Sequence, residues 1–255
     1  MKLLNAQVIS NQSLAPDTFS MKVCAPEIAK NVHPGQFAMI YLTNGELLLP
    51  RPISFSDVDR DTVTFVYQIV GAGTRVMSNI NSGENVKILG PLGKGFFIGS
   101  SSRTSQKKVA IVGGGIGVAP LVILAKSLVL QGAQVDAYLG FRNNPTLTEI
   151  FESYANNTFI STEDGTIGHK GNILEVVKSQ NIQYDEILAC GPRPMLDALA
   201  EYTSSKNIPC QLSMEERMAC GIGTCVGCVL KINKSYLRIC TEGPVFYSDS
   251  ISHSN

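Results

Sequence analysis

The stretch MACGIGTCVGCVLKI at residues 218–232 places three cysteines within nine positions, with glycines between them, and a fourth follows at Cys240. Four residues separate Cys220 from Cys225, two separate Cys225 from Cys228, and eleven lead on to Cys240. A hydrophobic core has no use for that arrangement, and disulfide frameworks rarely adopt it. Four-then-two, with a fourth cysteine arriving from further along, is the plant-type 2Fe–2S loop spacing. Bridging sulfides accept hydrogen bonds from backbone N–H groups, so the loop must wrap closely with little side-chain bulk. Gly221, Gly223 and Gly227 lie between the ligands and are expected to supply positive φ angles there. Thiolates bind once their protons have left, and ferric iron ensures that. The alternative is a four-cysteine zinc knuckle. Zinc sites commonly use two C-x-x-C pairs, whereas only Cys225 and Cys228 form one here.

The rest of the chain has the composition of an ordinary globular protein. Of 255 residues, 44% are apolar and 16% charged, and 21 basic residues balance 21 acidic ones. No basic stripe favours nucleic acid or an anionic membrane surface. The N-terminal MKLLNAQVISNQSL lacks the long apolar core and small-residue cleavage site of a secretory signal. The longest apolar run, VAPLVILAKSLVL, is broken by Pro120, Lys126 and Ser127 and is too short to span a bilayer. A soluble cytoplasmic chain is expected, in which thiols stay reduced. Four of the seven cysteines crowd into residues 220–240, and that asymmetry favours a metal site over staples. Cys24 and Cys210 are read as small buried hydrophobes.

The fold class expected is α+β multidomain, in three segments. Residues 1–100 carry short β-branched or aromatic runs, FAMIYL, TVTFVYQIV and NVKILGPLG, separated by NGE, SDVDRD and NSGE. Turn signals roughly every ten residues suggest a closed antiparallel β-barrel. After the polar stretch SSSRTSQ at 100–106 the period switches, and residues 101–208 alternate buried strands with helices. KKVAIVGGGIG, AQVDAYLGF, NTFISTED and DEILACG read as strands. VAPLVILAKSLVLQG, GNILEVVKSQN and RPMLDALAEYTSSKN read as helices. That is a doubly wound parallel α/β domain. Residues 209–255 keep neither period and read as a small module that needs a metal.

Three further motifs bear on chemistry. VGGGIGVAP follows a strand and opens a helix, the context of a phosphate cradle, with a tight turn holding no ligand as the alternative. It is not the Rossmann fingerprint, because Val118 stands at the third glycine position, and Arg142 rather than an acid follows the second strand. ACGPRPML at 189–196 ends a later strand in the same manner, and two such turns at one sheet edge suggest a crevice. In the barrel segment, PRPISFSD reads as a rigid turn aiming Arg51 outward for bidentate phosphate binding, against the alternative of an ordinary surface arginine. VYQIVGAGT then supplies small residues that let backbone approach a pyrophosphate.

The order R-P-I-S, Y-x-x-V-G-x-G-T, G-G-G-I-G-V-A-P-L and C-G-P resembles the ferredoxin–NADP reductase superfamily. The tail MEERMACGIGTCVGCVLKI, with Cys240 and EGPVF, resembles more particularly the electron-transfer subunits of dihydroorotate dehydrogenase B. The resemblance runs essentially the whole length. It implies an FAD-binding barrel at 1–100, an NAD-binding domain at 101–208 and a 2Fe–2S module at 209–255. By it, Arg51, Pro52, Ile53 and Ser54 would contact the flavin and its phosphates, and Val66, Tyr67 and Gln68 would line the isoalloxazine or ribityl side. Gln68 stands where many relatives carry arginine. Gly73 and Thr74 would sit on the pyrophosphate, with a helix starting after Arg75. Gly114, Gly115, Gly117, Gly191 and Pro192 would border the nicotinamide pocket, with Cys190, the catalytic candidate, near the flavin. Cys220, Cys225, Cys228 and Cys240 would ligate the cluster.

Nicotinamide accepts hydride, a 2Fe–2S centre passes one electron at a time, and flavin does both, so the flavin must stand between them. The resemblance therefore implies an oxidoreductase subunit of pyrimidine biosynthesis. It would take electrons from an FMN-containing dihydroorotate dehydrogenase catalytic subunit and deliver them through 2Fe–2S and FAD to NAD. The partner assembly implied is a heterotetramer of two plus two, with no nucleic acid and no membrane. No acid–base residue for orotate chemistry is expected, and His33, His169 and His253 read as loop or terminal residues. The competing enzyme reading is a flavin and iron–sulfur diaphorase subunit of a hydrogenase, a sulfide dehydrogenase or an NADH-dependent ferredoxin reductase. The non-enzyme reading is a binding module with structural zinc.

Overall fold

The structure is a computed structural model that describes residues 1–42, 48–99, 106–232 and 235–251. The expected NGE turn, most of the polar stretch at 100–106, and His253 lie outside the described residues.

Six strands close an antiparallel barrel: β1 (Lys2–Ala15), β2 (Thr18–Cys24), β3 (Phe37–Tyr41), β4 (Arg51–Asp59), β5 (Thr62–Gln68) and β6 (Asn85–Leu92). Around the barrel the order is β1-β2-β5-β4-β3-β6. Alternate residues face inward, so Val8, Met21, Ile40, Phe55, Phe65 and Ile88 fill the interior together. Of the segment expected as a rigid turn, PRPISFSD, all but Pro50 instead belongs to β4. Prolines flanking an arginine imitate turn chemistry, but Pro52 falls where β4 is paired with β3 alone, so its missing N–H is tolerated.

Two short helices belong to this unit, α1 (Pro26–Ala29) and α2 (Ala72–Ser78). The second begins at Ala72, before the start expected after Arg75, because Thr74 Oγ1 accepts the N–H groups of Val70 at 2.9 Å and Gly71 at 3.3 Å. Its far end is tied to the barrel through one polar relay. The Tyr67 hydroxyl donates to Asn11 Oδ1 at 3.0 Å, and the Asn11 amide donates to the carbonyls of Met77 and Ile80 at 2.8 and 2.9 Å.

A seven-stranded sheet makes the second unit. Its strands are β7 (Lys108–Gly114), β8 (Gln134–Phe141), β9 (Asn157–Thr162), β10 (His169–Lys170), β11 (Glu186–Cys190), β12 (Cys210–Ser213) and β15 (Val245–Tyr247). The order is β10-β9-β8-β7-β11-β12-β15, parallel except for the last pair. Four helices accompany it: α3 (Leu121–Leu130), α4 (Thr148–Tyr154), α5 (Ile173–Ser179) and α6 (Arg193–Lys206). Gly132 at φ +86 and Asn207 at φ +54 follow α3 and α6, as left-handed residues after helices commonly do. β13 (Val229–Ile232) and β14 (Ser235–Arg238) form a two-stranded sheet.

The C-terminal segment is shared between the two compact units. Residues 215–230 and 236–244 cluster with the barrel, while β12 and β15 complete the parallel sheet. Cys210 is buried there, as expected, whereas Cys24 is half-buried on β2. No described helix is long and apolar enough to cross a membrane.

Burial pushes the Tyr67 phenol up to about 12 against a smaller pull from Asn11, and burial likewise pushes Tyr138 up to about 12. A phenol whose pKa is raised in the folded chain contributes stability that is whole below its ordinary value near 10. That contribution is lost as the pH climbs through the folded value. Denaturant midpoints are therefore expected to fall between about pH 10 and 12. Tyr67→Phe should make that fall shallower, and urea titrations at stepped alkaline pH check it.

Candidate functional site

The cysteine loop sits on the outer face of the barrel. Ala38 and Ile40 point into the barrel core, so Met39 between them on β3 points out, yet it is fully buried. Gly221 covers it: a Cβ there would lie 2.5 Å from Met39 Cγ and 3.3 Å from Leu92 Cδ1. Gly221 and Gly223 have φ of +71 and +83, as expected. Gly227 does not carry a positive φ. Its neighbour Val226 does, at +57, a strained conformation for a β-branched residue that costs on the order of 1–3 kcal/mol. Turning the chain at Val226 brings the Gly227 N–H back to Cys225 Sγ at 3.4 Å.

A backbone N–H faces each of the four sulfurs, Cys225 included. The Cys225 N–H donates to Cys220 Sγ at 3.4 Å, the Gly223 N–H to Cys240 Sγ at 3.1 Å, and the Cys240 N–H to Cys228 Sγ at 3.5 Å. Burial pushes the Cys220 thiol up, but the N–H groups of Cys225, Ile222 and Thr224 and the Cys225 thiol outweigh it and bring it down to about 6. Burial, then the Cys228 thiol, push Cys240 up to about 12. Each of these two thiols thus feels a neighbouring cysteine, Cys220 the Cys225 thiol and Cys240 the Cys228 thiol. No three His, Cys, Asp or Glu side chains among the described residues converge on one ion position. Four cysteines whose sulfurs each face a backbone N–H suit the negative charge of an iron–sulfur centre, so the donor set fits it. Cys225 is exposed and Cys220 half-buried, while Cys228 and Cys240 are buried.

On the next strand the barrel wall is split. The β4–β5 ladder ends at Phe55↔Phe65, although β4 runs back to Arg51 and β5 runs on to Gln68. Arg51, Pro52, Ile53 and Ser54 therefore border one side of a gap, and Val66, Tyr67 and Gln68 the other. Strand backbone without a ladder partner calls for hydrogen-bond partners from elsewhere. Arg51 donates from Nη2 to the Leu49 carbonyl at 2.6 Å, but its Nε is buried with no partner among the described residues. A Cβ on Gly73 would lie 2.4 Å from Arg51 Nη1, so the guanidinium rests directly on the start of α2. An orphaned buried guanidinium N–H beside unladdered strands fits the anionic, elongated flavin dinucleotide expected there. Tyr67 turns inward at 2% exposure to hold Asn11, and the Thr74 hydroxyl caps α2, so of these positions Gln68 is the exposed one.

In the parallel sheet, β7 and β11 are neighbours from which the chain winds in opposite directions, the switch point where open α/β sheets bind ligands. The two glycine turns meet there. A Cβ on Gly117 would lie 2.6 Å from the Cys190 carbonyl oxygen. One on Gly114 would lie 2.7 Å from Met195 Sδ and 2.8 Å from Pro192 Cδ, and one on Gly191 would lie 2.9 Å from the Gly114 nitrogen. Gly115, at φ +55, has open space around it. Cys190 is 2% exposed at the end of β11. His33 and His169 are exposed, and His169 pairs with Glu175 at 3.1 Å.

Sequence reasoning missed Asn11, which has no signal in a polar strand segment. It also missed Arg238 and Glu242, whose four-residue spacing around Cys240 was readable as an ion pair.

Residues 215–252 match the family model described as the iron-sulfur cluster binding domain of dihydroorotate dehydrogenase B. The chain is 39% identical over 252 residues to a dihydroorotate dehydrogenase B (NAD(+)) electron transfer subunit of Caldanaerobacter subterraneus subsp. tengcongensis, covering 97% of this chain and 98% of that one. It is 43% identical over 220 residues to the subunit of the same name from Clostridium acetobutylicum, covering 86% of each. Among solved structures it is similar to an NADH-dependent reduced ferredoxin–NADP oxidoreductase. There the TM-score is 0.87 at 24% identity, over 97% of this chain and 89% of that one. A ferredoxin NADP+ reductase from Neisseria gonorrhoeae, with bound FAD and NADP, shares the fold at TM-score 0.65 and 13% identity, over 80% of this chain and 92% of that one.

Because the atoms facing Gly117 are backbone, they cannot move aside cheaply. Gly117→Ala is expected to destabilise the chain by about 1–3 kcal/mol, read from the urea midpoint.

Proposed function

The chain belongs to the electron-transfer subunits of dihydroorotate dehydrogenase B, and from that membership we infer that it carries electrons from a dihydroorotate-oxidising partner to NAD⁺. Bound flavin supplies the conversion between single electrons and hydride that neither iron–sulfur nor nicotinamide makes alone.

The observation that carries this reading is one of register. Met39, which the cysteine loop covers, lies directly opposite Pro52 in the β3–β4 ladder, and Pro52 borders the gap in the barrel wall. Adjacent strands are about 4.8 Å apart, so a single strand separates the seat of the iron ligands from the proposed flavin cleft. In this reading Cys220, Cys225, Cys228 and Cys240 hold the iron. Arg51 binds the pyrophosphate from its seat on Gly73. The free edges at Pro52–Ser54 and Val66–Gln68 orient the ring system, and Tyr67 acts indirectly by fixing α2 through Asn11. The turns at Gly114–Gly117 and Cys190–Pro192 receive the nicotinamide nucleotide, with Gly115 facing the ligand and Cys190 supporting the turn from beneath.

The catalytic partner carries the dihydroorotate chemistry and its FMN. The exposed Cys220–Cys225 side of the loop is where such a partner would approach, and two copies of each subunit make the assembly. Copurification with the partner, followed by a dihydroorotate:NAD⁺ assay, tests the assignment. NADH formation is the expected result. A complex that forms, carries flavin and iron, and ignores dihydroorotate would overturn the substrate in favour of another diaphorase.

Gly73→Ala would push against the Arg51 side chain rather than against backbone. FAD affinity is expected to fall about 10- to 100-fold, the worth of a charge-assisted hydrogen bond, while the urea midpoint barely moves. Flavin titration of the stripped protein reads the first effect and denaturation the second.

A further inference from the structure

Arg238 lies two residues before Cys240, and none of the roles assigned above uses it. Its guanidinium makes three side-chain contacts. Nη1 donates to the Gly223 carbonyl at 3.0 Å, Nη2 to Glu242 Oε1 at 2.6 Å and Nε to Glu242 Oε2 at 3.2 Å. Glu242 Oε2 also accepts the Arg238 backbone N–H at 2.6 Å, and the Glu242 N–H donates to the Arg238 carbonyl at 2.8 Å. Fork and carboxylate are thus locked to each other and to the local turn.

Gly223 is held from both sides. Its carbonyl is taken by Arg238 and its N–H by Cys240 Sγ at 3.1 Å, the shortest of the four N–H···S contacts in the loop. Gly223 stands at φ +83, a conformation glycine enters freely and leaves as freely, so something must hold it there. An N–H aimed at a ligand sulfur, with a cation behind it, stabilises the more negative, reduced form of an iron–sulfur centre.

Building on the two-iron reading of the four cysteines, we propose that Arg238 is a positioning residue for that centre. Clamped by Glu242, it fixes the Gly223 carbonyl, keeps the Gly223 N–H on the Cys240 sulfur and so raises the centre's reduction potential. The planar fork is essential to this role, because it grips a carbonyl and a carboxylate at once, which a lysine ammonium does not do with fixed geometry.

Redox titration of the full-length, iron-reconstituted chain, followed by electron paramagnetic resonance, tests this in wild type, Arg238→Gln and Arg238→Lys. Iron content by direct assay accompanies each sample. Arg238→Gln is expected to shift the midpoint to more negative potential and alter the resonance line shape at unchanged iron content. Arg238→Lys keeps the charge without the fork and should show the same line-shape change with a smaller shift. Should Arg238→Gln fail to assemble, the lysine variant supplies the comparison. Wild-type potential and line shape in Arg238→Gln would overturn the proposal, as would wild-type behaviour in Arg238→Lys, since charge alone would then suffice. A wild-type chain with no iron and no signal would instead overturn the two-iron reading itself, and this inference with it.

Discussion

The contact on which the rest depends is the seating of Gly221 on Met39. Met39 faces out of the barrel and would be an apolar liability if left in water, yet it is fully buried. The loop that covers it must come close enough to exclude solvent, and a side chain at position 221 would fill that space. Hydrophobic burial therefore sets the depth of the loop, and the depth sets where the four sulfurs stand relative to β3. With the ladder partner of Met39 being Pro52, the same contact also fixes how far the four sulfurs lie from the open wall of the barrel.

That open wall is the second constraint. A closed barrel satisfies every strand edge, so a ladder that stops at Phe55↔Phe65 with strand remaining on both sides leaves hydrogen-bonding groups without ladder partners. The site tolerates this because α2 is pinned nearby. Asn11 joins Tyr67 to the carbonyls at the end of that helix, and Thr74 closes its start. Arg51 is then supported on Gly73 with one nitrogen still unmatched. Rigid surroundings and an unmatched donor are what a preorganised anion site requires, since a donor already ordered loses little entropy when the ligand arrives.

Much of this was legible because the determining interactions are local. Cysteine spacing is a property of one loop, and it could be read directly from Cys220 to Cys228. The helices at 121–130, 173–179 and 193–206 were readable from apolar patterning and from Gly132 and Asn207 after their ends. What escaped was decided elsewhere in the chain. β4 read as a turn because Pro50 and Pro52 suit turns, but Pro50 stands just before the strand and one-sided pairing with β3 makes Pro52 acceptable within it. The sharing of residues 209–255 between two units depends on a three-residue strand, Val245–Tyr247, finding β12, and three residues carry no period. α4 follows Leu147, which stands at φ +65 with no side-chain cap, so only Glu149 in its first turn announces it. Val226 was illegible for the opposite reason: rules of conformation assign the positive φ to Gly227, and the need to direct one N–H at Cys225 overrides them.

The glycines make the same point about how far a motif can be trusted. In the cysteine loop, Gly221 and Gly223 are required by φ as well as by space. At the sheet's switch point, Gly114, Gly117 and Gly191 are required by each other's turns, whatever ligand is present. Only Gly115 faces open space in a conformation that disfavours a side chain. A run of glycines after a strand therefore mixes residues that pack with residues that receive, and the sequence writes both with the same letter. The distinction emerges from the neighbours: atoms within 3 Å of a would-be Cβ mark a packing glycine, and open space marks one that packing does not require. Packing accounts for Gly114, Gly117 and Gly191 in this turn, so the nucleotide contact proposed above rests on Gly115 and on the strand order around it.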